Sequence, residues 1–251
     1  MKTARLGRRM VGRIGLGCMN VSHGYGIAPP PEQGRAVVRR ALELGVDHFD
    51  TAALYGFGRN ELLVGEALGS DRARIHLASK CGFTVIDNKP AVDGHPDALR
   101  RTLTESLKRL NTDHIDLYYL HRWDRGYPIE ETVGVLGRFV AEGYIGGIGL
   151  SEVSAATLLR AHAVHPITAV QSEYSLWNRT PELGVLDACR RLGVAFVAYS
   201  PLTRAFLAGG VRDLKKLAPR DFRRDLPRFQ EPHFSRNLPL VVTIHDAIPW
   251  R

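Results

Sequence analysis

The feature that most constrains this chain is an alternation running through most of its length. Short apolar, β-branched or aromatic runs are separated by amphipathic stretches of helical period. Runs of strand character occupy 14–18, 47–51, 75–80, 115–121, 147–151, 168–174 and 195–202, and helical patterns occupy 32–44, 60–68, 96–110, 129–142, 154–165 and 181–192 between them. Strands apolar on both faces and joined by single helices predict a parallel sheet with right-handed crossovers. That leaves a doubly wound open sheet or a closed (β/α)8 barrel.

A doubly wound sheet that binds a dinucleotide needs a G-x-G-x-x-G turn opening directly into a helix. Gly12-Arg13-Ile14-Gly15-Leu16-Gly17 has its glycines in the wrong order and no helix directly after it, so the barrel is the expected fold. Gly45, Gly69 and Gly143 follow helical stretches as left-handed C′ residues, while Ser154 and Thr180 stand where N-caps belong. A Gly7-Arg8-Arg9 turn inside 3–13 predicts a hairpin across the bottom of the barrel.

With 251 residues, 44% hydrophobic and 24% charged, the chain can bury a large core, which excludes disordered and low-complexity architectures. Residues 1–251 are expected to form one barrel domain with a basic loop at 205–236 and a divergent tail at 237–251. No apolar run approaches membrane-span length and MKTARLGRRM is not a secretory signal, so a cytoplasmic protein without membrane association is expected. Cys18, Cys81 and Cys189 form no C-x-x-C pair, and His162 and His165 have no third ligand nearby, so no metal is expected. Between Arg204 and Arg236, nine Lys or Arg face four Asp or Glu, which places five of the eight net positive charges there. So local an excess, with no recognisable nucleic-acid module, reads as a solvated loop, and no nucleic-acid partner is expected.

Chemistry in such barrels gathers at the C-terminal ends of the strands. Asp50 ends the second strand run, Tyr55 follows on its loop, Lys80 ends the third run and His121 the fourth. A phenol beside an ammonium held by a carboxylate is a general acid, the ammonium lowering the phenol pKa. A neutral imidazole can orient a carbonyl. Each of these residues, taken singly, also fits a cap, a packed ring or a solvent-facing strand end.

The chain resembles the aldo-keto reductases through DTAALYG (50–56), ASKCGF (78–83), LYYLHRWD (117–124), IGLSE (148–152), AVQSEYSLWNR (169–179) and AYSPL (198–202), in order, and is most similar to the microbial branch with GLGCM near its start. The resemblance implies a (β/α)8 barrel that binds NADPH, with NADH as the alternative donor, and reduces small aldehydes or ketones to alcohols. It implies Asp50, Tyr55, Lys80 and His121 as the catalytic set, with Tyr55 as acid. It also implies Ser151 and Gln171 on the nicotinamide amide and Tyr199 stacked on the ring. Gly17, Cys18 and Met19 would sit at the nicotinamide end, and Ser200 through Arg204, Leu202 included, on the pyrophosphate.

Two departures qualify that expectation. Thr203-Arg204-Ala205 stands where relatives usually have Gly-Arg-Gly, which restricts a backbone that must approach phosphates. After Asn237-Leu238 the β-branched run 240–244 reads as a strand rather than a helix, as a makeshift eighth strand or as unrelated sequence. The expected barrel is therefore incomplete, with seven clear strands and the eighth strand and last helices missing or replaced. Lacking the family's phosphate-gripping segment, it should discriminate weakly between NADPH and NADH. The competing reading is a truncated, silent barrel that binds a partner. Trp123 and Trp177 read equally as pocket walls or loop packing.

Overall fold

The computed structural model describes residues 2–86 and 89–247. Its first element is the expected hairpin, β1 (Thr3–Leu6) paired antiparallel with β2 (Arg9–Gly12), and Gly7 takes φ 63° in the turn. Seven strands follow in one parallel sheet: β3 (Leu16–Gly17), β4 (His48–Asp50), β5 (His76–Cys81), β8 (Leu117–Leu120), β9 (Ile148–Ser151), β10 (Ile167–Glu173) and β11 (Ala195–Tyr199). Their spatial order is β11-β10-β9-β8-β5-β4-β3, so each strand lies beside its neighbour in sequence among the seven. The sheet curls into a nearly closed barrel whose open seam lies between β3 and β11.

Helices α1 (Pro31–Glu43), α2 (Arg59–Leu68), α3 (Pro96–Leu110), α4 (Ile129–Ala141), α5 (Ala155–Val164) and α6 (Val185–Leu192) cover the outside. Their apolar faces meet the outward strand residues in one cluster that includes Val38, Leu63, Leu77, Leu99, Phe139 and Val170. Inside the barrel, Leu6 and Val11 of the hairpin pack with Ala78, Leu117, Tyr119 and Ala169, so the hairpin plugs the bottom. Gly149 is required there, because a Cβ would run into the Tyr119 ring.

The helix punctuation mostly follows the sequence. Gly45 and Gly143 take φ 81° and 82° after α1 and α4, Gly69 takes φ 45° after α2, and Ser154 accepts from the Thr157 amide at 3.1 Å. Thr180 does not cap α6. It opens a 3-10 turn (Thr180–Leu183), and α6 starts only at Val185 behind Gly184, whose φ of 150° breaks the run.

Two elements differ from expectation. A second hairpin, β6 (Phe83–Ile86) with β7 (Lys89–Val92), stands on the loop after β5. The tail expected as a strand at 240–244 is helical within α7 (His233–Ala247), with Pro239 inside the helix. Phe234, Leu238 and Val241, at helical spacing, join Phe206 and Phe229 in a separate apolar cluster, and that burial outweighs the β preference of the run. The basic loop is itself built from short 3-10 turns, Leu214–Lys216, Phe222–Asp225 and Pro227–Phe229. No helix of the described residues is long and apolar enough to cross a membrane.

The open seam shows in burial. The residues of β5, β8 and β9 are buried throughout, whereas Ala195, Phe196, Val197 and Tyr199 of β11 are half-buried and Ala198 is exposed. A cavity of about 1500 Å³ follows the seam from Leu6 and Val11 at the bottom to Tyr55 and Arg204 at the mouth.

Candidate active site

Asp50, Tyr55, Lys80 and His121 converge at the C-terminal ends of β4, β5 and β8. Lys80, 1% exposed, donates from Nζ to Asp50 Oδ1 and, at 2.9 Å, to the Thr51 carbonyl. Its Nζ lies 5.1 Å from the centroid of the Tyr55 ring. The His121 ring stands edge-on to Tyr55, centroids 5.7 Å apart, and edge-on to Phe83 at 5.2 Å. The His121 amide is fixed by the Cys81 carbonyl at 2.9 Å, which carries the hydrogen bonding of β5 and β8 up to the site.

Tyr55 sits on a loop held from both sides. Buried Asn60, at the start of α2, donates to the Cys18 carbonyl at 2.8 Å and to Ser22 Oγ at 2.6 Å, and accepts from Thr51 Oγ1 at 2.5 Å. Asn60 therefore ties the loop after β3 to the loop after β4.

Burial and neighbouring charge set the protonation states. Burial opposes the Lys80 ammonium, but Asp50 and Tyr55 outweigh it and hold its pKa above the ordinary lysine value. Tyr55 differs from the sequence expectation: burial raises its phenol above 10.0, Lys80 pulling it down only in part and Asp50 adding to the rise. Burial, Lys80 and Arg122 hold His121 well below 6.5, so its imidazole is neutral. The phenol is thus a protonated donor at neutral pH.

The residues expected on the cofactor line the same cavity, Thr203 excepted. Gln171 Nε2 donates to Asp50 Oδ2 at 2.8 Å, so the Asp50 carboxylate is gripped by Lys80 on one oxygen and Gln171 on the other. Ser151 Oγ accepts from Arg122 Nη1 at 3.1 Å. Gly17, Cys18 and Met19 lie along the β3 side, and burial pushes the Cys18 thiol up to about 12, leaving it inert. Tyr199 faces the cavity from β11, and burial with Glu152 keeps its phenol protonated.

Beyond Tyr199 the backbone is strained where the missing glycines suggested. Ser200, Thr203, Arg204 and Ala205 take φ of 50°, 48°, 56° and 71°. Leu202 is 51% exposed, Thr203 is buried with Oγ1 on Ser175 Oγ at 3.1 Å, and Arg204 lies over the Phe222 ring at 4.9 Å with a guanidinium nitrogen 4.0 Å from Glu173. The buried Arg204 Nε has no hydrogen-bond partner among the described residues. An elongated cavity with amide and hydroxyl groups at one end, an aromatic wall and an unsatisfied guanidinium at the other fits a dinucleotide cofactor.

The structure adds residues that the sequence reading passed over. His23 packs on Tyr55 with centroids 5.5 Å apart, and Arg122, directly after His121, faces the cavity. Their position on C-terminal loops was the only signal in the sequence. Phe222 and Tyr25 stack at 5.2 Å and strap the 218–225 segment to the loop after β3. Trp123 and Trp177 are loop packing: Trp123 Nε1 donates to the Tyr127 carbonyl at 2.8 Å, and Trp177 meets Phe206 at 4.8 Å. His162 accepts from the Ile167 amide at 3.1 Å.

The model of the aldo/keto reductase family matches residues 13–246. Among solved structures the chain is similar to a glycerol dehydrogenase from Gluconobacter oxydans, at 29% identity and TM-score 0.87, over 97% of this chain and 77% of that one. It is also similar to an aldo-keto reductase from Bacillus halodurans in its holo form, at 32% identity and TM-score 0.75, over 82% and 68% of the two chains. An aldo/keto reductase from Klebsiella pneumoniae, solved with NADP and acetate, matches at 32% identity and TM-score 0.69, over 84% and 71%. The chain belongs to the aldo/keto reductase family, whose members reduce carbonyl groups with nicotinamide cofactors.

Proposed function

We propose that this chain reduces aldehydes or ketones to alcohols with NADPH, Tyr55 donating the proton. The observation that carries the proposal is the convergence of Tyr55, Asp50 and His121 on one cavity wall with the Lys80 ammonium buried beside them, the phenol protonated and the imidazole neutral. The bound cofactor supplies the hydride.

The chain's own residues do the rest. His121 donates a ring N–H to the carbonyl oxygen and fixes it against the Tyr55 hydroxyl. Tyr55 gives that oxygen its proton, and the Lys80 ammonium stabilises the phenolate that remains. Asp50 holds Lys80 in place and is itself held by Gln171. Ser151 and Gln171 would bind the nicotinamide amide and Tyr199 its ring, with Gly17, Cys18 and Met19 at the same end. Ser200 through Arg204 would meet the pyrophosphate.

The likeness to a glycerol dehydrogenase makes glyceraldehyde and glycerol the first pair to try, beside 4-nitrobenzaldehyde as a broad substrate. Loss of NADPH absorbance reads the reaction. Wild type turns over, and Tyr55→Phe lowers kcat by at least about a hundredfold. No turnover in wild type, or equal turnover in the variant, removes the proposal.

The silent-barrel reading has one observation in its favour: Arg204 is drawn toward Glu173 on a strained loop. Sub-micromolar NADPH affinity in a fluorescence titration excludes it.

A further inference from the structure

We infer that Arg122 is a substrate-anion receptor, so that the preferred carbonyl compound carries a carboxylate or phosphate beside the group reduced. The inference rests on the carbonyl-reduction reading above and goes beyond it to the substrate class.

Arg122 follows His121 in the chain and is half-buried at the cavity wall with Tyr55, Ser151 and Gln171. One guanidinium nitrogen, Nη1, donates to the His121 carbonyl at 2.6 Å and to Ser151 Oγ at 3.1 Å, which sets the plane of the group. Nε and Nη2 make no hydrogen bond to any described residue, and no described carboxylate comes within ion-pairing distance.

Of the other cavity arginines near the mouth, three face partners, although Arg204 Nε makes no hydrogen bond to a described residue, and Arg220 is exposed. Arg223 pairs with Asp221 at 2.6 Å, Arg204 lies 4.0 Å from Glu173, and Arg59 donates to the Gly56 carbonyl at 3.1 Å. The acids nearest Arg122 are committed as well: Asp50 to Lys80 and Gln171, and Glu152 to the Glu173 amide at 2.8 Å. The Lys80 charge is balanced by Asp50, and His121 is neutral. Arg122 is thus a fixed positive charge beside the proton donor with two free donors, the fork geometry that binds a carboxylate or phosphate bidentately. When Ser151 turns to the nicotinamide amide it releases Nη1 toward the substrate too.

The test compares kcat/KM for two matched pairs, glyceraldehyde 3-phosphate against glyceraldehyde and 4-carboxybenzaldehyde against benzaldehyde, in wild type and Arg122→Gln. A charge-assisted contact of this kind changes affinity about ten- to a hundredfold. The anionic member should therefore lead by at least about tenfold in wild type and lose that lead in the variant, the change falling on KM rather than kcat. Whichever pair shows the larger lead identifies phosphate or carboxylate as the group received. A wild-type ratio near one, or a ratio that Arg122→Gln leaves unchanged, overturns the inference. So does a variant that raises only the KM for NADPH, which would make Arg122 a cofactor residue.

Benzoate binding measured by calorimetry, with benzamide as the neutral control, gives a readout that needs no turnover. Benzoate should bind wild type more tightly than benzamide, and Arg122→Gln should abolish the difference. If neither aldehyde pair turns over but benzoate binding follows this pattern, the reductase reading fails and the anion site stands. Equal benzoate affinity in both proteins overturns the site. Arg122→Lys, which keeps the charge without the fork, should fall between the two.

Discussion

Ala205→Gly should stabilise the protein, although it removes atoms and adds backbone freedom. Ala205 is exposed and holds φ 71°, in the left-handed region that costs an L residue about 1–2 kcal/mol. The residue is exposed, so loss of its methyl forfeits little packing. Glycine at this site costs about 0.5–1 kcal/mol of extra unfolded-state entropy. The balance is a gain of about 0.5–1 kcal/mol, or a rise in Tm of about 1–4 °C for a chain of this size. Ala208 is the internal control, being exposed in the same loop but outside the left-handed set, so Ala208→Gly should lower stability by about 0.5–1 kcal/mol. Differential scanning calorimetry on both variants decides the matter. If Ala205→Gly destabilises as much as Ala208→Gly, the strain is not there.

Three further outcomes are expected. Lys80→Met leaves Asp50 without its cation and should destabilise by about 3 kcal/mol in urea unfolding, with much of the loss recovered in the Asp50→Asn/Lys80→Met double variant. His76 lies 3.2 Å from His48, Nδ1 to Nδ1; burial, His48, Arg9 and Arg72 depress its pKa to about 4 against the pull of Asp116. The fold therefore favours the neutral ring, and stability should be complete above about 6.5, lost as pH falls toward 4, and flatter with pH in His76→Gln. Because Arg223 is spent on Asp221 and both Arg204 and Arg228 face Glu173, kcat/KM should favour NADPH over NADH by less than about a hundredfold. A larger preference would show that one of these arginines leaves its carboxylate for the cofactor.

What the sequence made legible is what period and punctuation encode. All seven barrel strands and six helices lie where the alternation placed them, mostly within a few residues, because strands buried on both faces tolerate little but apolar residues. Asp50, Lys80 and His121 could be picked out because all three end neighbouring strand runs at one face of the barrel, although singly each also fits a cap or a solvent-facing strand end. Hairpin β6–β7 was hidden, since Pro90 inside it reads as a strand breaker. The 240–244 run was misread because its local preference is β while its burial against Phe206 and Phe229 is a long-range fact. The direction of the Tyr55 shift was likewise out of reach. Sequence places an ammonium near the phenol but does not reveal how deeply both are buried.

The most direct test of the account follows deuterium from NADPH labelled at the reactive C4 position into the alcohol formed from 4-nitrobenzaldehyde. The account predicts label on the carbinol carbon with wild type, unlabelled product oxygen–hydrogen exchanging with solvent, and almost no product with Tyr55→Phe. Alcohol formed without label at carbon, or labelled equally well by the Tyr55→Phe protein, would contradict it.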